Sequence, residues 1–256
     1  MKVQRNLLLL CVLVSAFTTY SQDSIPQGTI IPVSLNGTLS SKNAKPNKAI
    51  SARVMQDVPL AGGRKIREGT KVTGHVIEMR KAGQGTGPLI SFAFDRVLVS
   101  RTGLGLPVTT DLRALASAAE VESAFLPDFG MGEGMSWSAR TTVQVGGDLV
   151  YWGGGPVVGR TGDVGKPLVA ADSGVLVRVT ANPGGPCRGE IDENHGLQAL
   201  WVFSSDACGV YGLDGLAIAH AGRTEPVGVI KLTSNGREIR IGGGSGMLLR
   251  VIGPSK

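Results

Sequence analysis

Apolar and polar residues alternate with the two-residue period of a half-buried strand in Ile50-Ser-Ala-Arg-Val54, in Val72 to Ile77 and in Ile90-Ser-Phe-Ala-Phe-Asp-Arg-Val-Leu-Val99. These stretches predict a compact β unit. Two short segments echo each other within it: Ile25-Pro-Gln-Gly-Thr-Ile-Ile31 and Ile66-Arg-Glu-Gly-Thr-Lys-Val72 share the pattern I-x-[QE]-G-T-x-[IV]. Each reads as a tight turn feeding a strand. Gly28 and Gly69 can take the positive φ such a turn needs, and the β-branched residues that follow suit an extended chain. Gly83 to Pro88 supplies a loop before the last of the three strands.

One stretch changes period. Leu112, Leu115, Ala116 and Ala119 recur at helical spacing behind Thr110, which reads as an N-cap, and Asp111, which suits the positive end of a helix dipole. A short helix is expected over 111–123, and Pro127 ends that region. Residues 128–140 carry no period and read as a Gly-rich linker.

Beyond the linker the chain is strand-like again: Thr141 to Val145, Leu149 to Trp152, Val175 to Thr180, Leu197 to Phe203, Leu216 to His220, Val227 to Thr233 and Met247 to Ile252. Asn235-Gly236, between Ile230-Lys-Leu-Thr and Glu238-Ile-Arg-Ile, predicts a hairpin with a type I′ turn. The expected fold class is mainly β, with two β-rich modules over 22–127 and 141–256 and one short helix between them.

The longest apolar run lies at the start. Lys2 and Arg5 precede Leu7 to Phe17, and Thr19-Tyr20-Ser21 places small residues where a signal peptidase inspects the chain. Residues 1–21 therefore read as an export signal cleaved after Ser21. A run of this length falls well short of the ~20 residues a membrane-spanning helix needs. Leu10 before Cys11 does not suit a lipoprotein signal, which wants a small residue there. The expected location is periplasmic or secreted, with no transmembrane helix in the mature chain.

Composition sharpens this picture in three ways. Glycine supplies 38 of 256 residues, about twice ordinary usage, in keeping with short strands and tight turns. Of three cysteines, Cys11 leaves with the signal, so Cys187 and Cys208 remain as an even pair that an oxidising compartment would join in one disulfide. Charge is uneven: residues 22–113 hold 13 Lys and Arg against 6 Asp and Glu, and the remainder to the C-terminus 11 against 14. A basic first half favours anionic envelope polymers or envelope proteins as partners, and nucleic acid is not expected outside the cytoplasm.

Taken together, GTIIPVSLNGTLSS, ISARVMQDV, IREGTKVTGHV and ISFAFDRVLVSRTGLGLPV resemble the C-terminal β-barrel of the TrbI-type channel proteins of bacterial type IV secretion systems. Gly28, Thr29, Arg53, Val54, Asp57, Val58, Gly69, Thr70, Val72 and Gly74 fill the matching positions, within about residues 25–108. The resemblance implies that the first module is barrel-like, an envelope β-barrel, and its motifs mark strand turns without naming a chemical site. TrbI-type proteins carry an uncleaved N-terminal membrane helix and a proline-rich stretch, whereas this chain passes from a short signal almost directly into the barrel-like region.

Catalytic patterns are sparse. Gly162-Asp-Val-Gly-Lys166 departs from a phosphate loop at Arg160 and Pro167, and Ser245 lacks the last glycine of a G-x-S-x-G elbow. Asp206-Ala-Cys208-Gly, His220-Ala-Gly222 and Gly147-Asp-Leu-Val-Tyr-Trp152 faintly resemble pieces of NlpC-type cell-wall peptidases, but in a different order. Cys208 in a disulfide would also have no thiolate to attack with. Glu190, Asp192, Glu193 and His195 form an acidic loop without metal-ligand spacing, and His75 and His220 sit in strand-like runs. Trp137, Tyr151 and Trp152 offer an aromatic platform or core packing. No catalytic residue, metal or cofactor is expected. The function expected is that of an exported, non-enzymatic envelope protein that binds or scaffolds. The alternatives are a cell-wall cysteine hydrolase using Cys208 and His220, and a minor component of a secretion-like envelope assembly.

Overall fold

The computed structural model describes residues 24–43, 45–60, 63–83, 87–99, 105–125, 140–146, 149–152, 158–159, 175–177, 198–200, 202–204 and 207–253. In chain order the elements are β1 (Ile30–Leu35), β2 (Leu39–Ser40), β3 (Ala49–Val54), β4 (Val58–Pro59), β5 (Lys65–Ile66), β6 (Lys71–Arg80), β7 (Leu89–Leu98), β8 (Leu106–Pro107), β9 (Thr109–Ala116) and α1 (Ala118–Phe125). They continue with β10 (Arg140–Val143), β11 (Leu149–Trp152), β12 (Val158–Gly159), β13 (Val175–Val177), β14 (Gln198–Leu200), β15 (Gly209–Tyr211), β16 (Leu216–His220), β17 (Ile230–Ser234), β18 (Arg240–Ile241) and β19 (Gly246–Gly253).

A ten-stranded sheet in the order β15-β9-β19-β1-β3-β6-β7-β17-β16, with β8 beside β7, curls into a nearly closed barrel. Its seam is drawn together where the Leu112 amide on β9 donates to the carbonyl of Ala221, just past β16, at 2.8 Å. Strand alternation fills the interior: Ile31, Val33, Ala52, Val54, Val72, Val76, Ile90, Phe92, Leu112, Leu115, Ile230, Leu232, Met247 and Leu249 point into one apolar core. Phe92 and Phe94 meet edge to face, with ring centroids 5.8 Å apart. Ile25 and Ile66, the leading residues of the internal echo, are buried in the same core.

The echo is a repeated turn. Thr29 N–H donates to the Pro26 carbonyl at 3.2 Å, and Thr70 N–H to the Arg67 carbonyl at 3.1 Å. Gly28 (φ 86°) and Gly69 (φ 76°) occupy the third position of these turns, where a type II turn requires positive φ. Each turn then launches a barrel strand, β1 or β6.

The helix expected over 111–123 starts later. Residues 109–116 form β9, which pairs antiparallel with β19 and parallel with β15, and α1 begins only at Ala118. The reason is burial on both faces. Leu112 and Leu115 face the barrel core, while Ala114 and Ala116 face outward beneath α1. A strand covered on both sides reads as a near-continuous apolar run, and here its Leu and Ala spacing also fits a helical period. Ser117 provides the helix cap, its Oγ accepting from the Glu120 amide at 3.2 Å; Thr110 instead donates from its hydroxyl to the Phe94 carbonyl at 3.4 Å.

Two further expectations are redrawn by pairing. Asn235-Gly236 does not join β17 to β18 as a hairpin: β17 has both edges occupied, by β7 and β16, and β18 pairs with β2 instead. Gly236 takes φ 82° but Asn235 is not among the positive-φ residues, so the turn is not type I′. Nor does the main sheet follow the division at 128–140. β15, β16, β17 and β19, expected in a second module, complete the barrel begun by β1 to β9. The linker expected over 128–140 lies almost wholly outside the described residues.

A smaller core lies outside the barrel wall. Val121 and Ala124 of α1, with Val145, Val202, Phe203 and Ala207, pack onto Ile30, Ala114, Ala116 and Leu248 on the outer face of β1, β9 and β19. Among the described residues no helix is long and apolar enough to cross a membrane.

Candidate functional site

With the barrel interior filled by side chains, the groups available for recognition lie on its outer wall. On β3, β6 and β7, alternation turns Ala52, Val54, Val72 and Val97 inward, and Arg53, Lys71 and Arg96 outward, where all three are exposed. Arg53 is the register partner of Lys71, and Arg96 that of Thr73 on the neighbouring strand. Like charges placed directly opposite each other across a sheet are destabilising.

Two carboxylates of this wall are committed elsewhere. Asp57 is held by the Lys65 ammonium and by the Glu68 amide at 2.9 Å. These bonds, with Lys65 first, hold the Asp57 carboxyl below its ordinary value of 3.8. Asp95 Oδ2 lies 2.9 Å from His75 Nδ1, a half-exposed pair bridging β7 and β6. Gly74, between these positions, lies at a register shift of β6 against β7, and a Cβ there would stand 1.9 Å from the Ala93 carbonyl oxygen. Only glycine allows that close approach.

A second charged cluster seals the seam. Asp111 on β9 is fully buried opposite its register partner Arg250 on β19. Its Oδ2 accepts from Arg250 Nη2 at 2.6 Å, from Arg250 Nε at 3.1 Å and from Arg223 Nε at 3.1 Å. Among the described residues, Asp111 Oδ1 is buried without a hydrogen-bond partner. Burial pushes the Arg223 guanidinium below its ordinary value, against the pull of Asp111 and with a smaller push from Arg250. The cluster ties β9, β19 and the loop after β16 at the point where the barrel closes.

Of the residues singled out in the sequence, Cys208 lies just before β15, its amide donating to the Tyr211 hydroxyl at 3.0 Å. Cys187, the acidic loop at 190–195, Trp137 and residues 1–21 lie outside the described residues. Tyr151 and Trp152 belong to β11, paired with β10. His220 Nδ1 lies 2.7 Å from the Val229 carbonyl and 3.1 Å from the Gly222 amide, and its Nε2 lies 3.2 Å from Thr224 Oγ1. Both ring nitrogens are thus engaged within the turn that follows β16. The Asp111–Arg223–Arg250 cluster escaped sequence reasoning because its members are far apart in the chain. Its one available signal was the pair of charges, Asp111 and Arg113, inside an otherwise apolar run.

No family model matches the chain, and no curated protein matches it. Among solved structures it is similar to ComB10 of the Com type IV secretion system of Helicobacter pylori, with 20% identity and a TM-score of 0.26, over 42% of this chain and 70% of that one.

Proposed function

We propose that this is an exported, non-enzymatic protein of the bacterial envelope that works as a binding or scaffolding module within an envelope assembly. The observation that carries the reading is the filled barrel interior: among the described residues the inward positions are occupied by buried Val, Ile, Leu and Phe, and the polar and charged groups stand on the outer wall, where recognition would take place. The sequence resemblance to TrbI-type barrels adds to it, because the matched positions Gly28, Gly69 and Gly74 fall where turn geometry and close approach require glycine. Export itself rests on the signal-like first 21 residues, and a Cys187–Cys208 disulfide belongs to the same reading.

Crosslinking in intact cells, followed by purification under denaturing conditions, tests the proposal. The expected product is a chain beginning at Gln22, without alkylatable thiols before reduction, and crosslinked to other envelope components. A full-length chain recovered from the cytoplasm, or one crosslinked to nothing, would overturn it.

A further inference from the structure

We infer that the outward face of β3, β6 and β7 is a docking surface for an anionic phospholipid bilayer, with Arg53, Lys71 and Arg96 as its contacts to headgroup phosphates. The inference rests on the envelope location proposed above and names the chemistry that the barrel wall meets there.

Three features of the face lead to it. Arg53, Lys71 and Arg96 are exposed, and among the described residues none of them makes an ion pair or a side-chain hydrogen bond. Arg53 opposes Lys71 directly, so an anion lying over both relieves their repulsion. Two carboxylates of this wall are engaged elsewhere: Asp57 is taken by Lys65 and the Glu68 amide, and Asp95 faces His75.

The shape of the face favours a planar partner. Ser34, Ser51 and Thr73, the neighbouring outward positions, are short, so the three long cationic side chains stand above the wall. A layer of headgroup phosphates needs no pocket, only cations that reach it together, and no pocket is asked of this face. Leu98 extends the Arg53–Lys71 row on the far side, and the adjacent Val99 is 39% exposed. Basic residues beside an exposed apolar side chain combine the two attractions, electrostatic and apolar, that act at a membrane interface.

Each basic side chain brought near an anionic leaflet strengthens binding by about fivefold, so three contribute about a hundredfold. The test is sedimentation of the purified mature chain with vesicles of phosphatidylglycerol and phosphatidylcholine, and with phosphatidylcholine alone, at low and high salt. Binding to the anionic vesicles alone is expected, weakened by salt. The Arg53→Gln/Lys71→Gln/Arg96→Gln variant should lose about a hundredfold in affinity. A Lys42→Gln/Lys45→Gln/Lys48→Gln variant, equal in charge but altered at the other end of β3, should stay within about threefold of the parent. Because Arg53 and Lys71 repel each other, Lys71→Gln should leave the thermal midpoint unchanged or raised, which separates lost binding from lost folding. No binding to anionic vesicles at low salt overturns the inference, as does an equal loss in both triple variants. Binding to soluble polyglutamate without vesicle binding would also overturn it, assigning the face to an acidic protein. If vesicles fail to bind while envelope crosslinks persist in cells, the broader proposed function survives without this one.

Discussion

Asp111 has two guanidiniums on one oxygen and none on the other, and its removal should cost more than the cluster contributes as a whole. Arg223 and Arg250 are only 14% and 16% exposed, so losing their shared carboxylate leaves two repelling cations in a poorly solvated seam. Asp111→Asn should therefore destabilise the protein by about 3 kcal/mol in urea unfolding, and a loss under about 1 kcal/mol would contradict this account of the seam. Asp57 makes a gentler prediction. Its carboxyl lies below the ordinary value of 3.8, so its stabilising contribution is fully present above that value and is lost as pH falls through the lowered folded one. A carboxyl titration followed by NMR should show a midpoint under 3.8 that rises on Lys65→Met; a midpoint unmoved by that change would refute the Lys65 contact. Individual residues were legible where local geometry sets their role. Gly28 and Gly69 could be read as turn glycines, whereas nothing local tied Asp111 to partners 112 and 139 residues away.

Among the elements, β9 separates what pattern reveals from what packing decides. A strand with one covered face, such as β3, alternates cleanly and was visible as a strand. β9 lies between two apolar layers, so it lacks alternation, and only its partners β19 and β15 distinguish it from a helix. The displaced helix start is testable by its caps. Ser117→Ala should cost about 1 kcal/mol through loss of the bond to the Glu120 amide, while α1 persists from Ala118 onward. Secondary chemical shifts that report helix across 111–116 would contradict the strand assignment. The Asn235-Gly236 turn was misread for a related reason: a strong local hairpin signal yields when the strand before it already has two partners.

For the whole molecule, the central claim is that both ends of the described chain build one barrel. Fold class was legible, because glycine-rich turns and short β-branched runs leave few alternatives. Connectivity was not, since a two-residue period says which face a strand buries and nothing about which neighbour it takes. β19 lies between β1 and β9, and β17 between β7 and β16, so the apolar core of the first half is complete only when the last strands arrive. The outer wall, and with it the Arg53–Lys71–Arg96 face, depends on that closure. Native-state hydrogen exchange across a denaturant series tests the claim directly, because amides that open together share one free energy. The amides of Val72 and Ile90 from the early strands, and those of Leu232 and Leu249 from the late ones, should merge into a single global unfolding event. Early and late strands exchanging as two units with separate free energies would contradict it.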